Sequence, residues 1–77
     1  MTVYNPQQIR DVILKCGLNY KELNEKDIKR NYVHPSGNVV QLDMNKNYIE
    51  EEINSLVTQI GISLEQFEQL YKQNLIL

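Results

Sequence analysis

The chain has 77 residues, 42% of them hydrophobic and 23% charged, with a formal net charge of −2. That length excludes a second sizeable core, the composition excludes a disordered or low-complexity chain, and the lone Cys16 excludes an intrachain disulfide or a cysteine-built zinc site. No apolar run approaches the roughly 18 residues that span a bilayer, and the first residues carry no basic-then-apolar leader pattern, so one soluble, cytoplasmic domain over residues 1–77 is expected.

The first helix opens at Asn5-Pro6-Gln7-Gln8, where Asn5 suits the N-cap, Pro6 the first helical position, and Gln8 the capping-box partner. Tyr4 and Ile9 have the spacing of a hydrophobic staple. Ile9, Val12, Ile13 and Cys16 recur at helical spacing and define the face turned to the core, with Cys16 a small core residue. Gly17 ends the helix, and Leu18 is placed to fold back on Ile13.

Residues 18–34 are read as two strands joined through Asn24-Glu25-Lys26. Ile28, Arg30, Tyr32 and His34 then share one face, opposite Lys29, Asn31 and Val33. The good helix formers in this stretch leave a short helix over residues 21–31 open. His34-Pro35-Ser36-Gly37-Asn38 is a turn, with proline opening it and glycine at a positive φ, so a hairpin returns along residues 39–44. Val40, Leu42 and Met44 face inward on that strand, and Val39, Gln41 and Asp43 outward.

Asn47 stands at capping-box distance from Glu50, and Glu50, Glu51 and Glu52 place negative charge where a helix dipole favours it. Ile49, Ile53, Leu56, Val57 and Ile60 give this second helix its apolar face, and Gly61 ends it. Ser63 and Gln66 repeat the capping-box spacing, with Ile62 and Phe67 as a staple. Leu64, Phe67, Leu70 and Tyr71 face a third helix inward. The result is an α+β fold of order α-β-β-β-α-α, a three-stranded antiparallel sheet packed on helices. The apolar tail Leu75-Ile76-Leu77 either packs back onto the core or meets a partner or dimer mate.

Chemistry-bearing residues are few. His34 is the only imidazole, nothing in the adjacent sequence activates it, and its place before proline is that of a turn residue. No catalytic residue is assigned. One histidine among scattered carboxylates has no metal-ligand spacing. Asn54-Ser55-Leu56 lacks the aspartate of a prosthetic-group attachment site and lies within a helix, so no cofactor is expected. Residues 1–34 hold six basic and four acidic residues, against two and six in residues 35–77, so a polyanion would meet the first half. Lys26, Lys29 and Arg30, with the loop residue Lys46, are the candidate nucleic-acid contacts, in a basic patch that Lys21 can extend and Tyr20 and Tyr32 interleave, although a solvated strand face accounts for them equally well.

The helix ending in Cys16-Gly17, the hairpin Tyr32-Val33-His34-Pro35-Ser36-Gly37-Asn38-Val39-Val40, the loop Asn45-Lys46-Asn47 and the run Gly61-Ile62-Ser63-Leu64-Glu65-Gln66-Phe67 follow one another in an arrangement that resembles HicA-type toxins. These are small mRNA interferases with a double-stranded-RNA-binding-domain-like fold. The resemblance spans about residues 5–67 and implies strands, not a helix, over residues 18–34. It departs at the family's Gly-Ser-His segment on the second strand, whose positions are filled here by Asp27-Ile28-Lys29-Arg30, so the cleaving histidine is missing. His34 matches the hairpin histidine instead. The implied function is a catalytically impaired HicA-like protein that binds RNA or an antitoxin-like protein. The alternative is a protein-interaction module with no nucleic-acid role, a small regulator or inhibitor of the kind phages and mobile elements encode, using an exposed sheet edge, the acidic helices or the apolar tail.

Overall fold

The computed structural model describes the backbone of residues 3–76 and the side chains of residues 3–73. Its elements run β1 (Val3–Tyr4), α1 (Pro6–Lys15), β2 (Lys21–Leu23), β3 (Lys29–Val33), β4 (Val39–Asp43), β5 (Tyr48–Ile49), α2 (Glu50–Ile60) and α3 (Leu64–Ile76). The expected order is present, with two short strands added: β1 and β5 pair antiparallel, Tyr4 opposite Tyr48, and tie the entry of α1 to the entry of α2. Two-residue strands carry no periodicity, which is why the sequence does not announce them.

The main sheet has the order β2-β3-β4, antiparallel throughout. Residues 21–31 are a hairpin and not a helix, with Lys21 opposite Val33 and Leu23 opposite Asn31. Asn24 decides this locally. With its backbone at φ 47°, its side-chain amide donates to the Lys29 carbonyl (2.8 Å) and accepts the Asn31 N–H (3.1 Å), extending the β2–β3 ladder by a side chain. In the second hairpin the Gly37 N–H closes on the His34 carbonyl and the His34 N–H on the Asn38 carbonyl, both at 2.8 Å. Gly37 sits at φ 98°, where a Cβ would be strained.

The inner face of the sheet presents Tyr32, Val40 and Leu42, each fully buried, to helices α1 and α2, which both pack on β4, while α3 packs on both helices. Ile9, Val12 and Ile13 of α1, Ile53, Leu56, Val57 and Ile60 of α2, and Phe67 of α3 complete the core. Tyr4, Phe67 and Tyr71 form an aromatic group with centroids 5.1–5.7 Å apart.

The helix ends follow the sequence with three corrections. Asn5 caps α1 through Oδ1 and the Gln7 N–H (2.8 Å), but its own N–H goes to the Tyr71 hydroxyl, not to Gln8. Helix α2 begins at Glu50, so its N-cap is Ile49 instead of Asn47. Isoleucine offers no acceptor, and Glu52 supplies the one side-chain bond, accepting the Ile49 N–H at 3.1 Å. Ile49, expected on the apolar face of α2, is exposed because it sits at the cap, and Ile28, expected to share a face with the buried Tyr32, is exposed because it lies before β3 begins. Gly61, at φ 95°, ends α2, and the Ser63–Gln66 capping box is made in both directions at 3.1 and 3.2 Å. Cys16 is half-buried at the end of α1, its thiol donating to the Ile13 carbonyl. The side chains of Leu75, Ile76 and Leu77 lie outside the described residues.

Candidate functional site

The four residues expected to meet nucleic acid share one end of the sheet, where the β2–β3 turn lies beside the loop after β4 and the Met44 N–H bonds the Ile28 carbonyl. They do not share a face. Arg30 lies opposite Leu42, on the inner side. Its guanidinium is held by the Asp27 carbonyl at 3.1 Å and stands 3.5 Å from Glu22. Lys46 bonds Glu52 and lies 4.6 Å over the Tyr48 ring. That pairing raises the lysine's pKa and lowers the carboxyl's. Lys26 and Lys29 are exposed.

Glu22 organises the inner side. Arg10 of α1 grips it in a two-pronged contact, Nε to Oε2 at 2.6 Å and Nη2 to Oε1 at 3.1 Å, and the Tyr32 hydroxyl donates to Oε2 at 2.6 Å. The carboxylate side chain is 8% exposed. The Arg10 hydrogen bond, supported by Tyr32 and opposed by desolvation, holds its pKa down to about 2. Burial and the same carboxylate push the Tyr32 phenol well above its usual range. A carboxylate so supplied with donors is fixed as an acceptor and is a poor proton-transfer group near neutral pH.

His34 is fixed as well. Its Nδ1 accepts the Ser36 N–H at 3.0 Å and lies 2.8 Å from the Ser36 hydroxyl, while its ring packs edge-on to Tyr20 at 5.2 Å. This is the turn role read from the sequence. Beside it, the Tyr20 hydroxyl donates to the Ile60 carbonyl (2.7 Å), and the Asn38 amide reaches both the Tyr20 hydroxyl (3.0 Å) and the Gln59 carbonyl (2.7 Å). The second hairpin is thereby fastened to the last carbonyls of α2. Among the described residues, no group of three or more His, Cys, Asp or Glu side chains is placed to hold a metal ion. No described helix is long and apolar enough to cross a membrane.

What the sequence reading did not single out is the other side of the sheet. Cross-strand partners share a face, so Lys21, Val33 and Val39 form one row and Leu23, Asn31 and Gln41 the next, with Lys29 opposite Asp43 beyond them. The helices pack on the opposite side. Leu23 is 49% exposed and Val39 52%. Over β2 and β3 a groove of about 440 Å³ is lined by Asn19, Lys21, Leu23, Val33, His34, Pro35 and Gly37. The alternation of β4 marks Val39 as outward, but the register that gathers Leu23, Val33 and Val39 is a tertiary fact.

In comparison with known proteins, the chain matches no family model and no curated sequence.

Proposed function

We propose that this protein is a non-catalytic binding module that takes a protein partner on the open face of its sheet. On this reading it is a HicA-like chain with a double-stranded-RNA-binding-domain-like fold, its cleaving histidine replaced, and an antitoxin-like or other regulatory protein as its partner. The observation that carries the reading is the exposure of Leu23 and Val39 on the same sheet face as Val33, in two adjacent rows that no described element covers. Half-exposed aliphatic side chains gathered on one sheet face are what a partner buries.

RNA is the second reading, favoured by the exposure of Lys26 and Lys29 at one end of the sheet. Magnitude decides against it as the first. With Arg30 and Lys46 paired to carboxylates, Lys26, Lys29 and the exposed Lys21 remain. Neutralising three phosphates gives a salt dependence of only about −3 in log K against log salt, where strong binders engage more. Glu25 and Asp27 flank Lys26 and oppose a polyanion further.

Selection from a random-peptide display library tests the proposal. Enriched peptides should bind the native chain and lose about tenfold in affinity on the double variant Leu23→Thr/Val39→Thr, which removes the aliphatic surface and places a strand-favouring side chain at both positions. Peptides that bind both proteins equally would remove the open face from consideration. A parallel titration with double-stranded RNA across salt concentrations should give weak binding with a slope no steeper than about −3; a slope of −5 would reinstate the nucleic-acid reading.

A further inference from the structure

The open face is one side of a more specific feature, the free edge of β2. The ladder between β3 and β4 is registered by the His34 N–H on the Asn38 carbonyl and the Met44 N–H on the Ile28 carbonyl. Backbone polar groups alternate sides along an antiparallel strand. The even-numbered residues of β3 therefore spend theirs on β4, and Asn31 and Val33 turn theirs to β2. Their partners Leu23 and Lys21 are thus satisfied inward, and the N–H and C=O of Glu22 point along the edge that no described strand covers. The opposite edge, on β4, is more occupied: the Tyr48 hydroxyl takes the Asp43 N–H at 2.8 Å.

The groove of about 440 Å³ adjoins β2, lined by its Lys21 and Leu23, by Val33 of β3 and by the turn residues His34, Pro35 and Gly37. That volume lies in the range of ordinary ligand sites and accommodates an apolar side chain or two. Its charge is one-sided. Lys21 is exposed within it and no carboxylate lines it, since Glu22, on the same strand, is turned inward and locked to Arg10.

We infer that β2 accepts an extended acidic peptide segment as a fourth strand. In this arrangement the segment's backbone pairs with Glu22, an apolar side chain enters the groove over Leu23 and Val33, and a carboxylate at an alternate position meets Lys21. This rests on the proposed protein-binding role of the open face and specifies its partner by shape and charge. A three-residue edge offers few backbone bonds, so the groove and Lys21 carry the selectivity.

Synthetic heptapeptides test it directly, with fluorescence anisotropy as the readout on the full chain. The heptapeptide Thr-Glu-Thr-Val-Thr-Glu-Thr, which presents Glu and Val two residues apart on one face, should bind at least tenfold more tightly than its counterpart with Lys in place of Glu, and Lys21→Glu should reverse that order. N-methylation at alternate residues, which removes the strand's outward donors in one of two phases, should abolish binding in one phase and spare it in the other. The amide of Glu22 should gain hydrogen-exchange protection on binding. Equal binding of acidic and basic peptides, indifference to methylation in both phases, or tighter binding of a single-stranded RNA oligomer would each overturn the inference. If library peptides still depend on Leu23 and Val39 while methylation has no effect, the edge strand falls and the binding face stands. If no peptide depends on either residue, both fall. Lys21 is exposed, and unchanged circular dichroism of the variant confirms that a lost preference is not lost folding.

Discussion

Glu22 is the residue on which most of the polar interior turns. Removing its charge leaves Arg10 and Arg30, both partly buried, facing a neutral amide, and unpaired charges in such positions are costly. Glu22→Gln is expected to destabilise the chain by about 2–3 kcal/mol at pH 7, which for this size is a fall in Tm of roughly 10 °C or more. The pH dependence has a definite sign. The folded pKa, about 2, lies below the ordinary value of 4.5. The stability this carboxylate contributes is therefore fully present above pH 4.5 and lost as pH falls toward 2. Linkage sets its ceiling near 3 kcal/mol, and by pH 3 less than half should remain. Urea unfolding of native and Glu22→Gln proteins at pH 7 and pH 3 measures this; a gap that stays constant between the two would mean that the carboxylate is not held by its donors in the folded state.

At the scale of elements, the second hairpin and the end of α2 behave as one unit because Asn38 and Tyr20 share the last carbonyls of the helix. Asn38→Ala and Tyr20→Phe each remove a bond to the carbonyl end of α2, at a cost of about 1–2 kcal/mol apiece. Because the Asn38 amide also donates to the Tyr20 hydroxyl, the two losses should be coupled. A double-mutant cycle by denaturant unfolding is expected to show an interaction of about 0.5–1 kcal/mol, and strict additivity would mean that the two caps act separately. Much of each element was legible in the sequence: the Asn5 cap, the Pro35–Gly37 turn, the inward Val40 and Leu42, and the Ser63–Gln66 box follow from local chemistry. The caps on Gln59 and Ile60 were not, because Tyr20 and Asn38 lie about forty and twenty residues away in the chain. The start of α2 was misplaced for a related reason. Asn47 has good cap chemistry, but pairing of Tyr48 and Ile49 with β1 holds those residues extended and delays the helix.

For the whole molecule, the groups that hold the fold and the proposed binding face lie on opposite sides of the sheet. The groups that hold the fold, Glu22 with its arginines and the aliphatic core, lie on the helix side of the sheet, while Leu23, Val39, Lys21 and Lys29 lie on the other. The sequence carried the residue types of the candidate site without its shape: it pointed to cations by clustering, and folding then turned Arg30 inward, paired Lys46, and brought apolar residues of three strands to one face. This separation predicts that the open face can be altered without unfolding the chain. Leu23→Thr/Val39→Thr removes aliphatic surface that is already about half hydrated, and threonine keeps the β-branched shape of Val39, so its unfolding free energy should stay within about 1 kcal/mol of native. Val40→Thr, one residue along on the buried side, should cost about 2 kcal/mol or more, since it places a hydroxyl among Tyr32, Leu42 and the helices. Parallel urea titrations of the two variants check the contrast. If the outer pair proves as costly as Val40→Thr, the face is part of the chain's own packing, and an exposed binding surface ceases to be the explanation for Leu23 and Val39.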